Sequence, residues 1–168
     1  FFTPTQYGAR DACALLGCDF QWTGSQDSVV PQMINSLNSA ISAKADGIAV
    51  AVVDKTAFRA PVDKALDAGI PVVSYNADGA KGDPGTNRLA YIGQDLYTSG
   101  YQLGQRIASL MPGGDAVGFI ATPGSLNIQP RIDGAKDAIK ASGKPINFTA
   151  VASGAELPKE LSTIDAYA

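Results

Sequence analysis

The sequence contains no histidine, and that absence removes the commonest general base, the commonest zinc ligand and any Ser-His-Asp or Cys-His relay from the chain's own repertoire. Cysteine is almost as scarce: Cys13 and Cys18 are too few for a zinc site and too far apart for a Cys-x-x-Cys redox pair. No G-x-G-x-x-G, P-loop or G-x-S-x-G motif occurs, so an enzyme is not expected, and neither is a metal or a cofactor; carboxylate-only chemistry is the one catalytic route left. Basic charge is thin as well. Thirteen Lys and Arg face sixteen Asp and Glu, for a net charge of −3 and a pI near 4.8, and the cations are scattered, which argues against nucleic acid and anionic lipid as partners. No apolar run reaches the length of a membrane span, and no charged-then-apolar leader opens the chain, so any export signal is expected to have been removed or to lie outside this sequence.

What is present is an alternation of helical and strand patterns in 168 residues that are 45% hydrophobic. After a helix over about 3–16, CDFQWTG reads as a short strand, and a helix follows with its apolar face at Val30, Met33, Ile34, Leu37 and Ile41, Ser28 as its cap and Pro31 in its first turn. DGIAVAVVD and IPVVSYNADG are nearly continuous apolar runs, the mark of strands covered on both faces. Between them lies a helix with Val62, Ala65 and Leu66 inward, closed by Gly69. A Gly, Pro and Asp rich loop then leads to the strand LAYIGQD and to a helix from Asp95 to about Met111, whose inward stripe is expected at Leu96, Gly100, Leu103, Ile107 and Leu110. DAVGFIATPG, a helix with Ile128, Ile132, Ala135 and Ile139 inward, and INFTAVASG complete the strand, helix, strand series. Leu157, Leu161 and Ile164 have helical spacing with no following strand to pack on.

The pattern is α/β, with doubly wound parallel sheets. Ligands in such sheets bind beyond the carboxyl ends of the strands, which selects Phe1 and Phe2, Thr23 to Ser28, Asp54 to Thr56, Asn76 to Asp78, Gln94 and Asp95, and Ser125 to Arg131. Amides, hydroxyls and charges dominate those loops, an inventory suited to a hydroxylated ligand whose C–H faces need aromatic planes. Asp95 also reads as a helix N-cap, Asn76 as a turn former, and Arg131 as a structural or solvent-facing cation. Asn127, Gln129 and Arg131 flank a helix N-terminus, where amide donors suit oxygen-rich ligands. Cys13 and Cys18, separated by Gly17, admit either a local disulfide in an oxidising compartment or two small buried thiols. Asn147 opens an Asn-Phe-Thr triplet of glycosylation form, inside an expected strand.

The segments AKADGIAVAVVD, ALDAGIPVVSYNADG, AYIGQDLYTSGYQLGQRIA and PGSLNIQPRIDGAKDAI, in this order and spacing, resemble the type I periplasmic binding proteins, the ribose-binding-like receptors of ABC sugar importers. The resemblance runs over essentially the whole chain. It implies a two-lobed fold, incomplete at both ends, with residues 1–93 as a first lobe lacking its opening strand, 94–168 as the first half of a second lobe, and a hinge crossover near 93–95. It implies that Phe1 and Phe2 match an aromatic pair that stacks on the sugar, both rings facing the ligand or one of them serving the core. Asn76 matches a position that holds sugar hydroxyls, although the ribose receptors carry an Asp-Arg pair where this chain has Asn76-Ala77. A sugar-gripping arginine of relatives aligns better with Gln129 than with Arg131.

The function implied is capture of a small carbohydrate or polyol between two lobes, closure, and delivery to an ABC transporter permease. The site set is Phe1, Phe2, Asn76, Gln94, Asp95, Asn127, Gln129 and Arg131. A monomer is expected, in the periplasm or lipid-anchored outside a Gram-positive cell. The alternative is the effector-sensing domain of a sugar-responsive transcription regulator, which shares the fold; an upstream helix-turn-helix would mark it and an export signal would exclude it.

Overall fold

A computed structural model of the chain describes residues 2–79 and 83–167, so Phe1 lies outside the described residues. The elements run α1 (Thr3–Leu16), α2 (Val30–Ser42), β1 (Ile48–Val50), α3 (Arg59–Asp67), β2 (Val72–Tyr75), β3 (Ala90–Ile92), α4 (Leu96–Leu110), β4 (Gly114–Ile120), α5 (Gln129–Ala141), β5 (Ile146–Ala152) and α6 (Leu157–Asp165). Both sheets are parallel. The first has the order β1-β2-β3, with Ile48 opposite Val72 and Val73 opposite Ala90; the second pairs β4 with β5 from Gly114 opposite Ile146 to Ile120 opposite Ala152.

The first core forms where the two apolar runs meet their helices. Leu37 and Ile41 of α2 and Val62 and Ala65 of α3 close over Val72, Val52, Val53 and the fully buried Phe58. Gly69, at φ 78°, releases the chain from α3, and the amide of Ile70 returns to the carbonyl of Ala65, turning the chain directly into β2.

Three sequence expectations change. CDFQWTG is not a strand: among the described residues it pairs with nothing, and the free side of β1 faces it across a cavity. Ser28 does not cap α2; it sits at φ 55°, and the hydroxyl of Ser25 accepts from the Val29 amide at 3.0 Å instead. The buried stripe of α4 is Leu96, Gly100, Gly104 and Ala108, while Leu103 and Leu110 are exposed. The reason is how closely α4 and α5 cross. A Cβ built on Gly100 would strike the Arg131 carbonyl and one on Gly134 the Tyr97 carbonyl, so the closest part of the crossing takes glycine, and Leu103 and Leu110 turn outward.

The terminal helices are lightly held. Cys13 is the only buried residue of α1, and α6 buries none among the described residues, leaving Leu157, Leu161 and Ile164 exposed. Cys13 and Cys18 are joined in a disulfide across the Gly17 turn, their Cα atoms 5.0 Å apart. Asn147 lies exposed on β5 and donates across the ladder to Asp115 at 3.0 Å.

Candidate functional site

β2 ends on Tyr75, and its ring takes the edge of Phe2 in a T-shaped contact with centroids 5.7 Å apart. The next residue, Asn76, is held at φ 62°, a left-handed conformation that asparagine tolerates better than most residues. Its amide donates to Ile92 O at 3.0 Å. Its Oδ1 is buried with no hydrogen-bond partner among the described residues, an unmet acceptor at the end of β2.

A chain of hydrogen bonds leads from Asn76 to the second sheet. The Tyr91 hydroxyl lies 2.8 Å from Asn76 O and 3.0 Å from Gln94 O. Gly93 makes this possible, because a Cβ there would overlap the Tyr91 phenol. Burial pushes the phenols of Tyr75 and Tyr91 up, the charge of Asp78 adding to the second, so both stay protonated in any ordinary buffer and Tyr91 keeps its donor. Gln94 Oε1 accepts from Arg131 Nη2 at 3.1 Å, and Arg131 Nη1 donates to Asn127 O at 3.0 Å. Arg131 thus grips two neutral oxygens and, among the described residues, forms no ion pair.

Of the expected site residues, Asn76, Gln94, Asn127 and Arg131 are brought into this one network, with Phe2 attached through Tyr75. Asp95 accepts from Thr98 N at 2.8 Å and caps α4. Gln129 accepts from Gly124 N at 2.9 Å and donates to Asp133 at 2.8 Å, so its amide is already spent on its own loop and helix. Asn127 is buried and its Oδ1 accepts from Ser125 Oγ. Sequence reasoning missed Tyr75 and Tyr91. The signal for both was an aromatic at or near the carboxyl end of a strand, one residue before Asn76 and three before Gln94.

A cavity of about 560 Å³ lies beside this network, bounded by Phe2, Gln6 of α1, Trp22, Met33 of α2, Ala49 of β1 and Tyr75. Asn76, Gln94, Asn127, Gln129 and Arg131 do not line it; Phe2 and Tyr75 alone of the network reach it. Ile48 and Val52 donate toward β2, so strand alternation turns the amides of Ala49 and Ala51 toward the cavity.

Asp54 closes the loop after β1. It accepts from the amides of Thr56 and Ala57, both at 2.8 Å, and from the Thr56 hydroxyl at 3.0 Å. The Ala57 amide first, and then that of Thr56, hold its pKa below the ordinary carboxyl value. A carboxyl depressed on folding contributes stability above its unfolded pKa and loses that contribution as pH falls through the lower folded one. The melting temperatures of the parent and of Asp54→Ala should therefore differ above about pH 5, and the gap should narrow as pH falls through the lowered carboxyl pKa of the folded state. Melts across that range check it; a constant gap would show that the carboxylate's charge plays no part.

Comparison with known proteins places this geometry. The chain matches the periplasmic binding protein domain over residues 1–166. It is 49% identical to a xylose/arabinose-binding protein of Sulfolobus acidocaldarius, covering 99% of this chain and 42% of that one. It is 35% identical to a D-ribose/D-allose-binding protein of Pseudomonas aeruginosa, over 74% of this chain and 38% of the other. Among solved structures, a carbohydrate transporter from Acidothermus cellulolyticus in complex with myo-inositol superposes with a TM-score of 0.81 at 28% identity, over 96% of this chain and 54% of that one. The chain spans less than half the length of the two curated relatives it matches.

Proposed function

This chain belongs to the periplasmic binding protein family, whose relatives here are type I sugar receptors, and we propose that it captures a sugar or polyol outside the cytoplasm for delivery to the permease of an ABC importer. Residues 1–93 form the first lobe, 94–168 part of the second, and 93–95 the crossover between them. The observation that carries the reading is the junction itself: an aromatic edge at Phe2 and Tyr75, the unpaired acceptor of Asn76, and a polar chain through Tyr91 and Gln94 to Arg131 and Asn127. Rings cover the C–H face of a sugar, and Asn76 accepts from a hydroxyl that would leave a dry, unpaired oxygen if it were missing. Gln94, Asn127 and Arg131 tie the crossover to the start of α5, Gln129 orders the loop before that helix, and Asp95 fixes the start of α4 behind them. Aldopentoses come first among candidate ligands, given the pentoses in the name of the Sulfolobus relative. The Cys13–Cys18 disulfide fits an oxidising compartment and favours an export-side receptor, read here as a monomer, over an intracellular regulator.

The test is a thermal-shift panel of D-xylose, L-arabinose, D-ribose and myo-inositol on the full-length polypeptide. A saturating pentose at 100 times its Kd adds about 2.7 kcal/mol, a rise of several degrees. Phe2→Ala should weaken binding about tenfold, in line with one lost ring contact, while leaving the circular dichroism unchanged. The reading fails if no sugar or polyol shifts the melt and a ligand of another class does.

A further inference from the structure

Leu126 belongs by sequence to the connection between β4 and α5, yet it packs elsewhere. Its side chain is 6% exposed and lies in the core of the first sheet, among the cluster of Val52, Val53, Phe58, Val62 and Ala77. Its amide donates to Val53 O at 2.9 Å, just beyond the end of β1. The connection that carries it is stiff. Ser125 N returns to Thr122 O, Gln129 N to Ser125 O, and Ser125 Oγ donates to the side chain of the buried Asn127.

From this geometry we infer that Leu126 is a bolt between the two sheet units, biasing them toward the closed arrangement before any ligand arrives and holding Asn127 beside the first sheet. The inference rests on the proposed receptor function for its ligand arm alone. Separating the units withdraws an apolar side chain from a packed core and strips the Val53 carbonyl of its donor, and both changes oppose opening. Apparent affinity is the intrinsic affinity scaled by the fraction of molecules already competent to bind. A residue that raises the closed fraction therefore tightens binding without touching the ligand. The network through Tyr91, Gln94 and Arg131 crosses the same junction but is polar and partly exposed, so water can replace it as the units part. Leu126 has no such substitute.

The experiment measures the distance between nitroxide labels at Lys64→Cys and Lys136→Cys, exposed positions on α3 and α5, in the intact polypeptide with its disulfide in place and no sugar added. The parent should give a distribution dominated by short distances. Leu126→Ala should add a longer population that collapses on addition of a sugar the parent binds, with a Kd raised about tenfold. Leu126→Val, which removes one methylene and guards against loss of the fold, should give a smaller long-distance population, and Leu126→Met should match the parent. Identical distributions for the parent, Leu126→Val and Leu126→Ala would overturn the inference, whatever happens to affinity. The ligand-free arm decides this even if no sugar binds, so failure of the bolt and failure of the sugar reading are distinguishable.

Discussion

Gly134→Ala should cost about 3 kcal/mol or more and lower the melting temperature by roughly 6–12 °C, a large effect for one methyl group. The added Cβ would meet the Tyr97 carbonyl and stand 2.7 Å from the Tyr101 amide, backbone atoms that cannot rotate away. α4 and α5 would have to move apart, and with them the start of α5 beside Asn127 and Arg131. Gly100→Ala strikes the Arg131 carbonyl from the other side of the crossing and should behave alike. Gly8→Ala is the control. It lies exposed on α1 with nothing within 4 Å of the added carbon, and alanine is the better helix former by up to about 1 kcal/mol, so this variant should be neutral or slightly stabilised. Equal melting temperatures for Gly134→Ala and the parent would show that the helices are not in the close register described.

Asp78→Ala should be comparably severe, at about 3 kcal/mol. The Asp78 side chain is fully buried, accepts from the Thr86 amide and hydroxyl at 2.9 Å each, and pairs with Arg88 Nε at 2.9 Å. Removing it leaves a guanidinium that is 22% exposed without its counter-charge, and releases the return of the loop that begins at Asn76. The partial exposure of Arg88 places the figure at the low end of the range for a broken buried pair. Because the unpaired charge is part of the penalty, Arg88→Met in the Asp78→Ala background should recover some of the loss. Chemical denaturation of the two single variants and the double variant checks this. If the double variant is as unstable as the sum of its parts, the pair is not coupled. Sugar affinity should fall in Asp78→Ala as well, since Asn76 N and O are held from the β3 side of that loop.

The alternation that makes this an α/β chain was legible because it rests on burial: Val52 and Val53 of GIAVAVV and Ile70 and Val72 of IPVVSY lie in the core, although β1 is covered on one face only, with Ala49 exposed on the cavity side. CDFQWTG carries the same aromatic and polar alternation as a strand but has no partner to complete a ladder, so its local preference goes unrealised. Leu103 and Leu110 misled for a related reason. Periodicity scores apolar side chains, whereas the α4 and α5 crossing selects for their absence at Gly100, Gly104 and Gly134. At the site, Asn76, Gln94, Asn127 and Arg131 were legible from their place after strands, since loops at that rim converge in any doubly wound sheet. The tyrosines that join them were not, because strand aromatics are ordinarily core. Leu126 was invisible in the same way: nothing in Ser-Leu-Asn tells a reader that the leucine is buried in the neighbouring sheet.

The Tyr91 hydroxyl carries one proton and has two carbonyls within reach, one on Asn76 and one on Gln94. Only one can be served fully at a time, so the contact is degenerate: a small twist of the strand end against the crossover transfers the bond from one oxygen to the other instead of breaking it. The joint is therefore compliant over short displacements and resists only the larger excursion that carries both oxygens away.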